Sequence, residues 1–324
     1  MTSVCALVVT RDRKQLLGEC LTALLSQTLP VSRVIVFDNA SSDGTREWLD
    51  EAGLLDDQRV RFVRSEVNVG GAAGYAEVLA LGSKTDAEWL WLMDDDAEPR
   101  PDSLERLLGS PAASDAASVA VCSAVLHPDG TLDRLHRCRW GRFITPLEAR
   151  AYVSGRPVDV DCASFVGLMV RTDAVRAVGL PRAEFFLGYD DAEYSLRLRA
   201  RGEIRLVAES IIVHKIVIGG GRPTARGGWA NRILGAQYTP SPWGSYWKDL
   251  YRIRNFLAVK AERGELPDRE LALIVLGYVA KTLLYDERPL RRIPWIVRYA
   301  RKGRRQDFRG PSPEGWAAYA ATHP

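Results

Sequence analysis

The sequence predicts an α/β fold, with a mostly parallel sheet flanked by helices and a helical C-terminal region. Short apolar runs occupy residues 4–9, 34–37, 60–63 and 89–93, and helical patterns separate them. Runs that are apolar throughout are typical of strands covered on both faces, and this alternation predicts parallel strands joined by right-handed crossovers. After residue 242 the pattern changes to three long helical segments, 243–261, 265–285 and 291–303, of which the last is strongly basic.

Local patterns define the elements between these landmarks. Leucines at positions 16, 17, 21, 24 and 25 recur at helical spacing and predict an amphipathic helix after the first strand. A second helix contains Trp48, and a glycine-rich turn at 68–75 leads into a helix expected at 76–81. Further strands are predicted at 119–122, 163–170, 204–207 and 210–214, with helices at 172–178 and 190–202. Residues 219–228 are rich in glycine and arginine and form a candidate lid.

Composition narrows the class of protein. Hydrophobic residues make up 46% and charged residues 26% of the 324 residues, as in ordinary folded domains. Residues 288–309 contain nine Arg or Lys and one acid, so this segment carries about +8 and the rest of the chain about −5, which gives the net charge of +3. A basic tail on a mildly acidic body suggests an anionic surface as partner, either lipid headgroups or nucleic acid.

Cysteine usage and hydropathy indicate the compartment. The five cysteines are scattered and none forms a C-x-x-C pair, which argues against a disulfide framework or a zinc site and favours a reducing compartment. The N-terminus has no secretory signal pattern, and the longest apolar stretch, 271–280, is too short to span a bilayer. We therefore expect a cytoplasmic protein, with any membrane contact peripheral.

The most informative stretch is residues 89–99, where an apolar run ends in Asp94, Asp95 and Asp96. Three adjacent carboxylates repel one another, and a divalent cation at a strand end would neutralise them. Oxygen ligands suit Mg²⁺ or Mn²⁺, which keep coordination positions for substrate phosphates. The alternative is a solvated acidic turn.

Other polar residues fall at the same edge of the predicted sheet. Four of them follow predicted strands directly or lie in the loops after those strands: Thr10, Asp38, Asn68 and Asp94. In parallel sheets, ligands bind beyond the carboxyl ends of the strands. A carboxylate at Asp38 could accept hydrogen bonds from a base or a ribose, or it could cap a turn. The glycine-rich residues 68–74 could face a diphosphate, although tight helix–sheet packing explains them equally well.

Two later features carry candidate chemistry. Asp190 and Asp191 lie at a predicted helix start, where acids also complement the helix dipole. One of these carboxylates could act as a general base toward a sugar hydroxyl. His214 closes a predicted strand and could ligate a metal, or it could simply be packed.

Taken together, these motifs resemble the inverting family 2 glycosyltransferases of the GT-A fold, over about residues 4–257. The order of the motifs carries the resemblance: Val-Thr-Arg at 9–11, Asp-Asn-Ala-Ser-Ser-Asp-Gly-Thr at 38–45, Asn-Val-Gly-Gly at 68–71 and the triple Asp at 94–96. Residues 188–197, His214 and the Tyr-Arg-Ile-Arg-Asn motif at 251–255 are similar to the bacterial galactofuranosyl- and rhamnosyltransferase branch.

The resemblance implies a division of the chain into a GT-A catalytic domain at 1–235 and a helical, basic region at 236–324. Within the catalytic domain, residues 1–110 would be the nucleotide-binding half and 111–235 the acceptor half. The residues implied to contact the nucleotide are Thr10, Arg11, Asp38, Asn68, Gly71, Asp94 and Asp95. Those implied to hold a Mn²⁺ or Mg²⁺ ion are Asp94, Asp96 and His214.

In catalysis, Asp191 is implied to be the base, with Asp190 beside it binding the acceptor or the donor sugar. The implied donor is UDP-galactofuranose or dTDP-rhamnose. The implied acceptor is a hydroxyl of a glycan or glycolipid, commonly carried on a polyprenyl diphosphate, in cell-envelope polysaccharide synthesis. The basic C-terminal region would then face an anionic membrane surface on the inner side of the cell membrane, with no nucleic acid as partner.

Three alternatives stay open from the sequence. The same motifs would serve a transferase acting on a soluble natural-product acceptor. A second is a protein that binds nucleotide sugars at a membrane surface but has lost catalysis. The third is a nucleotidyltransferase, although residues 9–13 lack the glycines of a triphosphate-binding loop.

Overall fold

A computed structural model describes residues 2–153, 155–215 and 241–322. The chain divides into two compact units: Met1–Phe186 with Asp190–Val217, and Leu187–Tyr189 with Ile218–Pro324. The predicted domain boundary at residue 235 and the candidate lid at 219–228 lie outside the described residues.

The first unit is built on a mixed sheet. Its strands are β1 (Val4–Thr10), β2 (Arg33–Asp38), β3 (Val60–Arg64), β4 (Trp89–Asp94), β5 (Ala97–Pro99), β6 (Ser118–Leu126), β7 (Arg137–Arg139), β8 (Thr145–Pro146), β9 (Val158–Asp159), β10 (Cys162–Ala163), β11 (Leu168–Arg171) and β12 (Glu203–His214). Among the described residues the main sheet has the order β3-β2-β1-β4-β11-β6-β12-β5, with β9 beside β12, and a small second sheet has the order β10-β7-β8. The first four strands of that order pair in parallel, as predicted.

Helices cover both faces of the main sheet. They are α1 (Lys14–Leu25), α2 (Thr45–Glu51), α3 (Gly70–Gly82), α4 (Ser103–Gly109), α5 (Pro111–Ser114), α6 (Thr172–Val178) and α7 (Asp190–Arg199). Side chains of α1, α2 and α4 form one apolar core, and side chains of α3, α6 and α7 form the other. In β4, Trp89 and Trp91 face the first core while Leu90 and Leu92 face the second, which explains why this strand is apolar at every position.

Three predicted elements differ from the structure. Helix α3 begins at Gly70 rather than at 76, because Gly70 takes a positive φ of 85° that lets the chain enter the helix directly. The strand predicted at 163–170 is split between two sheets, with a bend at Gly167, where φ is +69°. The two strands predicted at 204–207 and 210–214 are one strand, β12, because a register shift between Val207 and Ile211 absorbs the polar residues between them.

The second unit is helical, as predicted. Its helices are α8 (Trp247–Glu262), α9 (Asp268–Tyr285), α10 (Pro289–Arg304) and α11 (Pro313–Thr322), of which the sequence did not predict the last. Helix α11 packs through Trp316, which is fully buried and donates a hydrogen bond from Nε1 to the carbonyl of Trp243 at 2.9 Å. No helix within the described ranges combines the length and the apolar character that crossing a membrane requires.

Candidate functional site

Strand pairing brings the predicted polar residues of the first unit to one edge of the sheet. Thr10 lies beside Asp38 in the β1–β2 register, and Val9 lies beside Asp94 in the β1–β4 register. The carboxyl ends of these parallel strands therefore meet at the same edge, as the sequence predicted.

The three consecutive aspartates point to three different partners. Asp95 accepts a hydrogen bond from the Thr10 hydroxyl at 2.8 Å, so these two residues, both expected at the nucleotide, contact each other. The Arg13 guanidinium lies 3.0 Å from Asp95 Oδ1 and 3.0 Å from Asp96 Oδ2. Asp94 Oδ1 accepts a short hydrogen bond from the Tyr75 hydroxyl. Arg13 thus bridges Asp95 and Asp96, whereas Asp94 is held by Tyr75 of α3.

His214 reaches this turn through the pairing of β12 with β5. That antiparallel pairing sets His214 opposite Ala97, the residue after the triple Asp. His214 Nε2 lies 3.1 Å from Asp96 Oδ1, and both side chains are buried. Ligand atoms of Asp94, Asp96 and His214 lie within 4.8 Å of one another, so the structure contains the predicted triad as a candidate metal site.

The electrostatics of the turn follow from burial and from neighbouring charges. Burial raises the pKa of Asp94, and the negative charge of Asp96 raises it further. Burial also raises the pKa of Asp95 to about 6, although the Arg13 guanidinium opposes the shift. Burial acts on Asp96 in the same direction, but the hydrogen bond and the charge of His214, together with the charge of Arg13, outweigh it and lower the pKa of Asp96. Such a concentration of buried carboxylates is well suited to a divalent cation, which would remove their mutual repulsion.

Asp38 is the buried acid at the end of β2. Its Oδ1 accepts a hydrogen bond from the backbone N–H of Ser41 at 2.9 Å. Its Oδ2 is buried without a hydrogen-bond partner among the described residues, although the Nε of Arg64 lies 3.7 Å away. A buried acceptor of this kind is costly unless a ligand donor completes it.

The remaining predicted nucleotide residues have mainly local contacts. Arg11 donates its backbone N–H to Asp95 at 3.3 Å, and its side chain is half exposed beside Asp12. The Asn68 side chain accepts the backbone N–H of Gly70 at 3.0 Å and shapes the entry into α3. Gly71 lies in the first turn of that helix.

Asp190 and Asp191 open helix α7 and are its first two residues. Asp190 is buried, whereas Asp191 is partly exposed and its Oδ1 accepts the backbone N–H of Ala192 at 2.7 Å. The pKa of Tyr75 is raised first by burial, then by Asp94, and also by the charge of Asp190. Helix α7 packs on the same face of the main sheet as α3, because Tyr194 and Tyr75 both contact the ring of Phe165.

Sequence reasoning missed two residues that organise the site. Arg13 joins Asp95 to Asp96, and Tyr75 holds Asp94. The signal for Arg13 was its place in the polar loop directly after β1. Tyr75 gave no comparable signal, because an aromatic residue on an amphipathic helix is normally explained by core packing alone.

Two solved structures have similar folds. The crystal structure of S. aureus TarS residues 1–349 in complex with UDP matches 99% of this chain and 92% of that chain, with a TM-score of 0.53 and 13% identity. The crystal structure of GalNAc-T7 with UDP, GalNAc and Mn²⁺ matches 82% of this chain and 52% of that chain, with a TM-score of 0.56 and 15% identity. The architecture of the first unit and its similarity to these solved structures thus define a GT-A-type fold, as the resemblance implied.

The family follows from the sequence comparison. The model of glycosyl transferase family 2 matches residues 5–175, which is more than half of the chain, and the chain belongs to this family. A curated relative, the galactofuranosyltransferase GlfT1 of Mycolicibacterium smegmatis, is 34% identical over 210 residues. That alignment covers 61% of this chain and 66% of GlfT1, just under two thirds of the relative.

Proposed function

We propose that this protein is a metal-dependent, inverting glycosyltransferase that transfers a sugar from a nucleotide diphosphate donor to a hydroxyl of a glycan or glycolipid. Galactofuranose is favoured over rhamnose because the GlfT1 relative is named for galactofuranosyl transfer. The observation that carries the proposal is the convergence of Asp94, Asp96 and His214 at the carboxyl edge of the sheet. Membership of glycosyl transferase family 2 supports the same reaction class.

Asp38 is the residue proposed to bind the nucleotide of the sugar donor. Its buried Oδ2 lacks a hydrogen bond, and the N–H of a uracil base or a ribose hydroxyl would donate one to it. TarS, whose fold is similar, was crystallised with UDP, which favours UDP-galactofuranose over dTDP-rhamnose as the first donor to test. Thr10 and Arg11 would then shape the pocket from the end of β1, and Asn68 and Gly71 from the start of α3.

The two carboxylates and the imidazole gathered at the triple Asp are suitable ligands for a divalent cation. Asp94, Asp96 and His214 would hold Mn²⁺ or Mg²⁺, and Mn²⁺ is the ion in the GalNAc-T7 structure. When bound, the cation would act as a Lewis acid that neutralises the departing diphosphate. Asp95 would support the site indirectly, since it fixes Thr10 and Arg13.

Asp191 is the proposed general base. Its carboxylate would remove the proton of the acceptor hydroxyl as that oxygen attacks the anomeric carbon. The nucleoside diphosphate would leave from the opposite face of the sugar, so the anomeric configuration inverts in one displacement. Buried Asp190, in the same first turn, would bind a sugar hydroxyl rather than exchange protons with solvent.

Incubation with UDP-galactofuranose, a polyprenyl-diphosphate-linked glycan and Mn²⁺ tests the proposal. We expect a product with the anomeric configuration opposite to that of the donor, and at least about a tenfold loss when Asp94→Asn removes a metal ligand. Asp191→Asn should abolish transfer while leaving UDP binding intact. Asp173→Asn, in the first turn of α6, is the matched control and should behave as wild type.

The same assay separates the alternatives. Release of pyrophosphate from a nucleoside triphosphate would indicate a nucleotidyltransferase. UDP binding with no turnover, unchanged by Asp191→Asn, would indicate a protein that has lost catalysis. Transfer to small soluble aglycones but not to the lipid-linked glycan would indicate a natural-product enzyme.

The second unit supports a membrane-surface location for the acceptor. The five exposed leucines Leu273, Leu276, Leu283, Leu284 and Leu290 are half of the ten large apolar residues that are exposed in the described chain. Four of them lie on α9 at helical spacing, on one face. Helix α10 adds a concave surface whose charged lining is four basic residues and one acid: Arg298, Arg301, Lys302, Arg305 and Asp307. An apolar face together with a cationic surface is typical of peripheral binding to anionic bilayers.

Flotation with phosphatidylglycerol vesicles tests this location. Wild type should float with these vesicles and much less with phosphatidylcholine vesicles. The double variant Leu276→Glu and Leu283→Glu should stay in the dense fraction, because it places charge on the face that would enter the bilayer. Leu135→Glu, at a leucine that is 75% exposed in the first unit, is the matched control. Equal flotation of the double variant and the control would contradict the proposal.

A further inference from the structure

Three of the four histidines in the chain gather around one carboxylate that the proposed transfer reaction does not use. His136 Nε2 lies 3.2 Å from Asp133 Oδ2, and His127 Nδ1 lies 3.8 Å from the same oxygen. Ligand atoms of Asp133, His136 and His214 lie within 4.8 Å of one another. His214 therefore belongs to this cluster as well as to the triad with Asp94 and Asp96.

The fold builds the cluster at the carboxyl ends of two neighbouring parallel strands. Leu126, the last residue of β6, lies beside Val213 in the β6–β12 register, so His127 and His214 follow at the same level. A turn then returns the chain, and the Asp133 N–H binds the carbonyl of Val125 at 2.9 Å. A 3₁₀ turn, Arg134–His136, places His136 one turn beyond Asp133.

In this cluster the ring nitrogen of His136 that faces away from Asp133 has a hydrogen-bonding partner of its own, as metal-bound histidines usually do. His136 Nδ1 lies 2.7 Å from the Ser164 hydroxyl, which fixes the ring and leaves Nε2 facing Asp133. Metal-bound histidines normally have such a partner on the other ring nitrogen. His127 Nδ1 is buried and has no hydrogen-bond partner among the described residues, so it is available as a further ligand beside Asp133.

The cluster offers one carboxylate and imidazole nitrogens as possible ligands, whereas two of the three residues in the neighbouring triad are carboxylates.

We propose that His127, Asp133, His136 and His214 form a second cation site, suited to Zn²⁺, whose occupation withdraws His214 from the triad with Asp94 and Asp96. Nitrogen-rich, four-ligand sets favour Zn²⁺ over Mn²⁺ or Mg²⁺. A neutral imidazole has one lone pair, so His214 serves one ion at a time. Zn²⁺ is therefore an inhibitor of the Mn²⁺-dependent reaction, a consequence that rests on the proposed function. The cysteine pattern gave no hint of zinc because the site contains no cysteine.

Metal binding is measured first, without any turnover. The metal-free full-length protein is titrated with Zn²⁺ against a chromophoric chelator, and Co²⁺ is used to report tetrahedral geometry by its visible absorption. We expect His136→Gln and His127→Gln each to weaken Zn²⁺ binding at least about tenfold. Asp94→Asn should retain the Zn²⁺ site and its Co²⁺ spectrum. The His127 side chain is partly exposed, so His127→Gln gives a folded second variant if His136→Gln is unstable.

Inhibition is measured second, as hydrolysis or transfer of the donor in Mn²⁺ with increasing Zn²⁺. Wild type should lose activity, and His136→Gln should need at least about ten times more Zn²⁺ for the same loss. Zn²⁺ affinity that is equal in wild type and in both histidine variants would overturn the site. Tight Zn²⁺ binding without inhibition would overturn the sharing of His214. A protein that binds Zn²⁺ through His136 yet uses no donor would uphold the site and refute the proposed function instead.

Discussion

Arg137 is the residue whose replacement most directly tests how the first unit is held together. Its side chain is fully buried, and its guanidinium donates to four backbone carbonyls, those of Ser123, His136, Ser164 and Val166, from three segments. Nε binds the carbonyl of Ser123 at 2.9 Å, Nη1 that of His136 at 2.7 Å, and Nη2 that of Val166 at 2.6 Å. These bonds join β6, the 3₁₀ turn and the chain entering β11.

Arg137→Met keeps the aliphatic stem and removes all three donors. A buried carbonyl left without a partner costs about 1–3 kcal/mol, so with partial relaxation we expect a loss of about 3–6 kcal/mol in the free energy of unfolding. At an m-value of about 2–3 kcal/mol per molar urea, the midpoint should fall by roughly 1–3 M. Urea unfolding followed by tryptophan fluorescence gives the midpoint, and hydrogen exchange of β6 and β11 locates the loss.

The matched control is Arg150→Met. The Arg150 side chain is 83% exposed and pairs with Glu148, so its replacement should change stability by less than about 0.5 kcal/mol. If Arg137→Met and Arg150→Met unfold at the same urea concentration, the guanidinium does not hold the three segments and the reasoning is wrong.

Two further predictions concern the nucleotide side of the first unit. Gly70→Ala should lower stability by about 2 kcal/mol or more, since the residue has a φ of +85° and its Cβ would lie 2.5 Å from the Phe186 carbonyl oxygen. Gly130→Ala, with a φ of +83° in open space, should cost only about 1 kcal/mol, and equal thermal shifts would mean that the close approach contributes nothing. Asp38→Asn should weaken UDP binding about 10- to 100-fold in calorimetry, because it removes a buried charged acceptor. Asp57→Asn is the control, and unchanged affinity of Asp38→Asn would contradict the assignment of that acid to the nucleotide.

Much of the first unit could be predicted because its signals are local. Continuous apolar runs predicted β1, β2 and β4, a shorter run containing Arg61 predicted β3, and the structure buries both faces of β4 against helices. The edge where Thr10, Asp38 and Asp94 meet followed from the parallel order of these strands alone. The start of α3 was misplaced because glycine has low helix propensity, whereas Gly70 is required there by its positive φ.

In the second unit, the sequence predicted the helices but not what its polar motif does. Arg254 and Asn255, which contributed to the family resemblance, are buried, and the Asn255 amide donates to the carbonyls of Leu187 and Gly188 at 3.2 and 2.8 Å. These bonds hold Leu187 and Gly188, which lie 68 and 67 residues earlier in the chain. Such a contact joins positions far apart in sequence, so no periodicity could predict it.

The sequence by itself determined that this chain forms an α/β sheet with a carboxylate-rich edge and belongs with the family 2 glycosyltransferases. Apolar periodicity and strand order are properties of neighbouring residues, and they determine which ends of the strands meet. Only the tertiary structure decided which side chains lie close enough at that edge to bind a cation together. Pairing of β12 with β5 and β6 brings His214 to Asp96 on one side and to Asp133 and His136 on the other. That choice depends on long-range strand pairing, which is why one histidine can belong to two candidate cation sites that the linear motif did not reveal.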